Sequence, residues 1–314
     1  MAEFEHIPVL LNECLEGLNI NPSGKYLDGT VGGAGHSSRI AAKLDDNGKL
    51  FCLDQDPEAI AAATERLSIY PNVLIIRSNF RYAKSVLSEE EGKINGALLD
   101  LGVSSHQLDT AERGFSYNKE GSLDMRMSDN GITAADVVNG YSFEELCRVL
   151  RDYGEENFAP NIADKIISER QKKYIGSTLE LSDIIVSALP PAVRRKEKHP
   201  ARKTFQALRI EVNDEMGALQ EGLEGIFDLL APGGRFCVIT FHSIEDRIVK
   251  QYFAKLQQGC TCPKEFPVCV CGNKPKAKGI TKKPIIASED ESEDNRRSRS
   301  AKLRIVEKLG VNND

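Results

Sequence analysis

The stretch Tyr26-Leu-Asp28-Gly29-Thr-Val-Gly32-Gly33-Ala-Gly35-His36 constrains this chain more than any other. An apolar strand ends in Asp28, enters a glycine-dense turn, and gives way to a helical pattern from Ser37 to Leu44. Glycines let the backbone pass close under a ligand, and a helix N-terminus offers free N–H groups. Two more apolar runs end in acids, Leu50-Phe-Cys-Leu-Asp54 and Ala97-Leu-Leu-Asp100. In an open parallel α/β sheet, ligands sit outside the carboxyl ends of the strands. The three carboxylates are therefore expected to converge on one crevice that binds a nucleoside-containing cofactor.

The pattern narrows the choice of nucleoside. The G-x-G-x-x-G dinucleotide fingerprint is incomplete, because Ser38 follows Gly33 and Gly35, and no Gly-Lys-Ser/Thr follows the glycines. An acid early in the first loop suits a cofactor with a positive amino-acid part and no phosphate, and would repel a pyrophosphate. Asp54, ending the second strand, suits a ribose diol. S-adenosylmethionine meets both conditions. The rival is a tight turn with acids that only cap helices, which three acid-ended strands in order disfavour.

At 314 residues the chain predicts one large domain with an insertion, or two domains. The composition is that of a globular protein, with 28% charged and 40% hydrophobic residues. The acidic N-terminus lacks an apolar signal core, and no run approaches the roughly 18 apolar residues of a membrane span. A cytoplasmic protein is expected. Net charge is −6, against a general polyanion binder, yet basic residues cluster. Arg194, Arg195, Lys196, Lys198, Arg202, Lys203 and Arg209 stand against the single acid Glu197, and more lysines and arginines follow in the tail. Basic stripes on an acidic body are compatible with a local nucleic-acid face.

Four of the eight cysteines, Cys14, Cys52, Cys147 and Cys237, lie in apolar contexts and read as reduced and buried. The others form Cys260-Thr-Cys262 and Cys269-Val-Cys271. Such pairs point to metal rather than disulfides in a reducing compartment. C-x-C is tighter than the usual C-x2-C zinc knuckle, so reduced thiols stand beside structural zinc as the alternative.

Apolar runs alternating with helical patterns predict a doubly wound α/β sheet, with strands near Lys25–Asp28, Leu50–Asp54, Val73–Arg77 and Gly96–Asp100. Asp56 and Pro57 open a helix running to Ile69. From Ala111 to about Arg209 the patterns are helical, including Ser142–Leu150 and Asn157–Lys172. A long helix, Thr204 to Leu230, then leads to a strand at Arg235–Phe241, with two last strands at Ile280–Ile286 and Lys302–Val306. The division expected is residues 1–110 with 210–314 as the cofactor-binding domain, and 111–209 as a mainly helical insert for substrate recognition.

Several ordered motifs match one known family: Asp28-Gly-Thr to Gly35-His36, Asp54-x-Asp56-Pro57, Leu99-Asp100-Leu-Gly-Val-Ser104-Ser105-His-Gln107-Leu-Asp109, and Arg113-Gly-Phe-Ser116 through Leu123-Asp-Met-Arg126-Met. His199-Pro, Thr204-Phe-Gln-Ala-Leu-Arg-Ile210, Phe241-His-Ser-Ile-Glu-Asp-Arg247 and Arg299-Ser-Ala-Lys-Leu-Arg304 continue the match. Over nearly its whole length the chain resembles the MraW/RsmH family, S-adenosylmethionine-dependent methyltransferases acting on the N4 amine of a cytosine in 16S ribosomal RNA. The resemblance implies a Rossmann-like class I methyltransferase sheet with a helical insert, and 16S rRNA, within the 30S subunit, as partner. It implies cofactor contacts at Ala34, Gly35, His36, Asp54, Phe80, Asp100 and Gln107. Ala34 stands where glycine is common.

Methyl transfer from a sulfonium needs no metal, and positioning supplies much of its rate. The cytosine amine is a poor nucleophile, so acceptors must orient it and draw out its lone pair, and the base must leave any stack. Asp100-Leu-Gly-Val-Ser104 lies where other amino-methyltransferases carry a Pro-Pro loop. Ser104 is expected to orient the amine, and His242 or Asp246 to hold the base or accept the proton. Arg194, Arg195, His199, Arg202 and Lys203 are expected to contact RNA.

Overall fold

Leu50, Phe51, Cys52 and Leu53 are all buried, as a parallel strand covered on both faces requires. The structure, a computed structural model, describes residues 8–195, 199–263, 266 and 268–310. Seven strands are present among these residues: β1 Lys25–Asp28, β2 Lys49–Asp54, β3 Val73–Arg77, β4 Ile94–Asp100, β5 Leu230–Thr240, β6 Ala277–Gly279 and β7 Lys302–Lys308. They form one sheet in the order β3-β2-β1-β4-β5-β7-β6. The first five are parallel neighbours, and β7 runs antiparallel to both β5 and β6. The order reverses between β1 and β4, which puts the ends of β1, β2 and β4 side by side at the switch point where ligands bind.

Helices flank the sheet where the sequence provides start signals. In helix Pro57–Leu67, Pro57 takes the first turn and the Asp56 carboxylate accepts the Glu58 N–H at 3.0 Å. Core residues Leu27, Leu53, Leu99 and Val238 pack on one side, and Leu50, Cys52, Leu98 and Ile239 on the other. Cys14, Cys52 and Cys237 are buried there, and burial raises their thiols.

The chain divides into two compact units, residues 1–102 with 217–314, and residues 103–216. The divisions fall at Val103 and Met216, where the sequence placed them near 111 and 209. The second unit is built on helices Ala134–Gly140, Phe143–Asp152, Ala159–Arg170, Thr178–Ala188 and Arg202–Asn213, around a core that includes Val137, Leu146, Ile162, Leu181 and Leu208. Ser142 and Glu145 close a reciprocal capping box at the start of Phe143–Asp152.

Two sequence expectations are corrected. The long helix Thr204–Leu230 is two helices, Arg202–Asn213 and Glu215–Leu229, broken where Asp214 turns left-handed with φ 44°. Asn213 explains the break. Its amide donates to Met125 O and Arg209 O and accepts from Met127 N, pinning the helix end to the Met125 loop. The strand expected at Ile280–Ile286 lies earlier, as β6, and only Ile285 makes a lone bridge to Leu303. Lys282 and Lys283 bend the chain there, and Pro284 has no N–H to donate.

Candidate active site

Asp28 closes β1 with 1% of its surface exposed, so its negative charge has to be answered from within. Ser37 Oγ donates to one carboxylate oxygen at 2.6 Å, and Thr30 N donates to the other at 3.1 Å. Burial still raises the carboxyl above its usual range, against the pull of these bonds. Asp28 therefore organises its own loop. Thr30 extends this scaffold, since its hydroxyl accepts the Asp100 N–H at 2.7 Å.

The loop above is shaped for close approach. Gly32 has φ +47° and Ala34 has φ +58°, both left-handed, and helix Gly35–Ala41 begins immediately after. A side chain at Gly35 would stand 2.6 Å from Pro8. His36 is buried, its Nε2–H donates to Val9 O at 3.0 Å, and its Nδ1 lies 3.8 Å from Asp100.

Asp54 ends β2 and accepts from Gly32 N at 2.9 Å and Asp56 N at 3.0 Å. Burial outweighs both bonds, with Asp56 and Asp28 adding to it, and the carboxyl is pushed up to about 6. Asp100 ends β4, and its Oδ1 is a buried acceptor with no hydrogen-bond partner among the described residues. Burial raises this carboxyl too; His36 and Arg297 oppose the rise and Glu245 adds to it. Phe80, on a short turn capped by Asn79, stands beside Gly29, with its ring against Gly222, where a β-carbon would come within 2.4 Å.

The structure thus brings Ala34, Gly35, His36, Asp54, Phe80 and Asp100 to one edge of the sheet. An anion would meet carboxylates there. A neutral or cationic ligand rich in donors would satisfy the Asp100 oxygen and the remaining lone pairs of Asp54. These residues fit a nucleoside with a diol, an amino group and no phosphate.

A family model described as the MraW methylase family matches residues 3–309. The chain belongs to this family. The ribosomal RNA small subunit methyltransferase H 2 of Agathobacter rectalis is 55% identical over 310 residues, covering 98% of this chain and 99% of its own. The ribosomal RNA small subunit methyltransferase H of Heliobacterium mobile is 54% identical over 311 residues, covering 98% and 100%. That of Clostridioides difficile is 51% identical, with the same coverage. The MraW-family chain is a methyltransferase, and its strands form a Rossmann-like, mostly parallel sheet.

Other residues singled out from the sequence have definite places. Ser104 and Gln107 form a reciprocal capping box on helix Ser105–Asp109: Ser104 Oγ accepts from Gln107 N at 3.1 Å, and Gln107 Oε1 accepts from Ser104 N at 3.0 Å. His242 caps helix Ser243–Gln257, its Nδ1 accepting from Glu245 N. Its Nε2 is 2.9 Å from Glu245 Oε1 but out of line for a hydrogen bond, leaving a buried nitrogen without one. Asp246 is held by Arg304 Nε at 2.7 Å and Lys302 Nζ at 3.1 Å. Burial works against it, yet the two cations win and keep the carboxyl below its usual range.

In the second unit, Arg194 donates to Leu189 O and Ser187 O, closing the end of helix Thr178–Ala188. Lys203 donates to Glu155 O. His199 stacks on Tyr117 at 4.7 Å, with Nδ1 accepting from Ala201 N. Arg195 and Arg202 are exposed, and Lys196 and Lys198 lie outside the described residues. The cysteine pairs converge on one exposed loop.

Sequence reasoning missed Thr30, Ser37, Glu245 and Arg297 as parts of this machinery. Glu245 was signalled by its place three residues after His242, the spacing of a capping box. It accepts from Phe241 N at 2.8 Å and His242 N at 3.2 Å. Arg297 lies over the Phe241 ring at 5.7 Å, and no local pattern announced it.

Proposed function

We propose that this methyltransferase uses S-adenosylmethionine to methylate the exocyclic N4 amine of a cytosine in 16S rRNA, within the small ribosomal subunit. The observation that carries the cofactor reading is the unpartnered, buried Asp100 Oδ1 beside a left-handed glycine loop. The RNA reading rests on the relatives named for the small subunit. When bound, the cofactor supplies an electrophilic methyl group on a sulfonium.

On this reading Asp54 holds the ribose diol, Asp100 accepts from a donor of the cofactor, and Phe80 offers an aromatic face to the adenine. Ala34, Gly35 and His36 shape the loop, with His36 fixed by the Val9 carbonyl. Gln107 acts through Ser104, whose backbone it braces, and the Ser104 hydroxyl retains a proton to donate. His242 accepts a helix N–H at Nδ1, so in the neutral ring Nε2 carries the proton and serves as a donor to the base. Asp246 positions β7 against the helix that His242 caps. Arg195 and Arg202 are the better RNA contacts, since Arg194 and Lys203 already serve backbone carbonyls. The helical unit is assigned to substrate recognition.

The test is transfer of labelled methyl from S-adenosylmethionine to 30S subunits lacking the modification, with Asp100→Ala alongside. Label recovered as N4-methylcytosine in 16S rRNA, and lost in the variant, is expected. Tight cofactor binding without transfer to the subunit or its free RNA overturns the substrate assignment.

A further inference from the structure

The described residues between helix Ser243–Gln257 and β6 make no regular secondary structure, although the base of this segment is closed by Lys276 N donating to Leu256 O at 2.7 Å. Its described residues form no apolar core of their own: Phe266, Val268 and Val270 are 51%, 69% and 73% exposed. A segment this short cannot hold one shape by burial, and needs a cross-link or a metal. Cys260, Cys262, Cys269 and Cys271 are its convergent groups, with all four sulfurs within 4.8 Å of one another.

The spacing of those sulfurs separates a disulfide from a tetrathiolate metal site. A disulfide needs about 2.05 Å, whereas Cys269 and Cys271 stand 3.6 Å apart and Cys271 and Cys260 stand 3.7 Å apart. A tetrahedron of thiolates at about 2.3 Å from a central Zn²⁺ has edges of about 3.8 Å. Iron–sulfur clusters divide their thiolates among several irons and spread them further. Backbone N–H groups already point at the sulfurs: Thr261 N and Asn273 N at Cys271, Cys262 N at Cys260, and Val270 N at Cys262, at 3.3 to 3.5 Å. Such outer bonds spread the charge of thiolates bound to a metal. Asn273 also ties the loop to its base through the Gln258 and Gly259 carbonyls.

We propose that Cys260, Cys262, Cys269 and Cys271 form a closed tetrathiolate site for one structural zinc ion, which takes the place of a core for this loop. Four protein ligands leave no open position, so the ion has no part in methyl transfer. Binding deprotonates the thiols and folds the loop around the ion.

The test uses the full-length chain, purified under reducing conditions, stripped of metal and reloaded with Zn²⁺ alone. About one zinc per chain should survive dialysis, and the Cys262→Ser, Cys269→Ser double variant should retain almost none. Co²⁺ loaded into the wild type should show the thiolate charge-transfer and visible bands of a tetrahedral tetrathiolate, a readout that needs no variant to fold. Zinc should also shield four thiols from alkylation, while Cys14, Cys52, Cys147 and Cys237 stay unreactive in the core. Absence of bound zinc and of the Co²⁺ spectrum, iron in place of zinc, or disulfides in the reduced preparation would each overturn the site.

Discussion

Two groups of carboxylates close the parallel strands of this sheet, and they are treated in opposite ways. At the ends of β2 and β4, Asp54 and Asp100 form no ion pair with Lys or Arg among the described residues, and burial raises both. Past the end of β5, Asp246 is clamped between Lys302 and Arg304, and its carboxyl is lowered. Of these three acids, only Asp246 is neutralised by Lys and Arg side chains. Unsatisfied charge costs stability, and on the proposed reading it persists at the Asp100 side because a ligand completes it. The Asp246 side is finished without one.

The largest break in this contrast comes from Asp100→Ala. Methyl transfer should fall at least about a hundredfold in kcat/KM, roughly 2.7 kcal/mol, with the thermal midpoint unchanged or raised because a buried acceptor is removed. Steady-state kinetics and a melting curve measure both. Asp246→Ala should do the reverse. Lys302 and Arg304 would face each other uncompensated, at a cost of about 2 kcal/mol in chemical denaturation, with cofactor affinity within about twofold.

Proton linkage sharpens the contrast further. Asp54 titrates near 6 in the folded chain against an ordinary 3.8. Its contribution to stability is full below the ordinary value and is lost as pH rises through about 6. Cofactor affinity should run the other way, because a diol donates to the ionised carboxylate, and should weaken as pH falls through about 6. Asp246 is lowered, so its stabilisation is present above the ordinary carboxylate range and disappears as pH falls through its folded value. Calorimetric binding and denaturant midpoints across pH 4 to 8 should therefore diverge near pH 6. The smallest effect belongs to Ala34→Gly. The left-handed φ favours glycine, but a buried methyl is lost and the unfolded chain gains freedom, so stability should stay within about 1 kcal/mol.

The acid-ended strands were legible because an apolar run and its terminal acid are contiguous, so β1 to β4 fell close to where the pattern put them. The place of β6 was not, because it is three residues long and set by its pairing with β7 rather than by its own hydrophobicity. The partners of Asp246 arrive more than fifty residues later, and a lone acid in a motif gives no sign of them. Arg194 shows the same limit: in a basic cluster, a guanidinium that closes a helix end looks no different from one that waits for RNA. The cysteine pairs were visible as spacing, but their convergence depends on the loop being tied at its base.

The most direct measurement is calorimetric titration of S-adenosylmethionine into the wild type, Asp100→Asn and Asp246→Asn at neutral pH. The expectation is that Asp100→Asn weakens binding by about ten- to a hundredfold, as for loss of a charged hydrogen bond, while Asp246→Asn binds like the wild type. Equal affinity for wild type and Asp100→Asn, or a larger loss at Asp246, would contradict it.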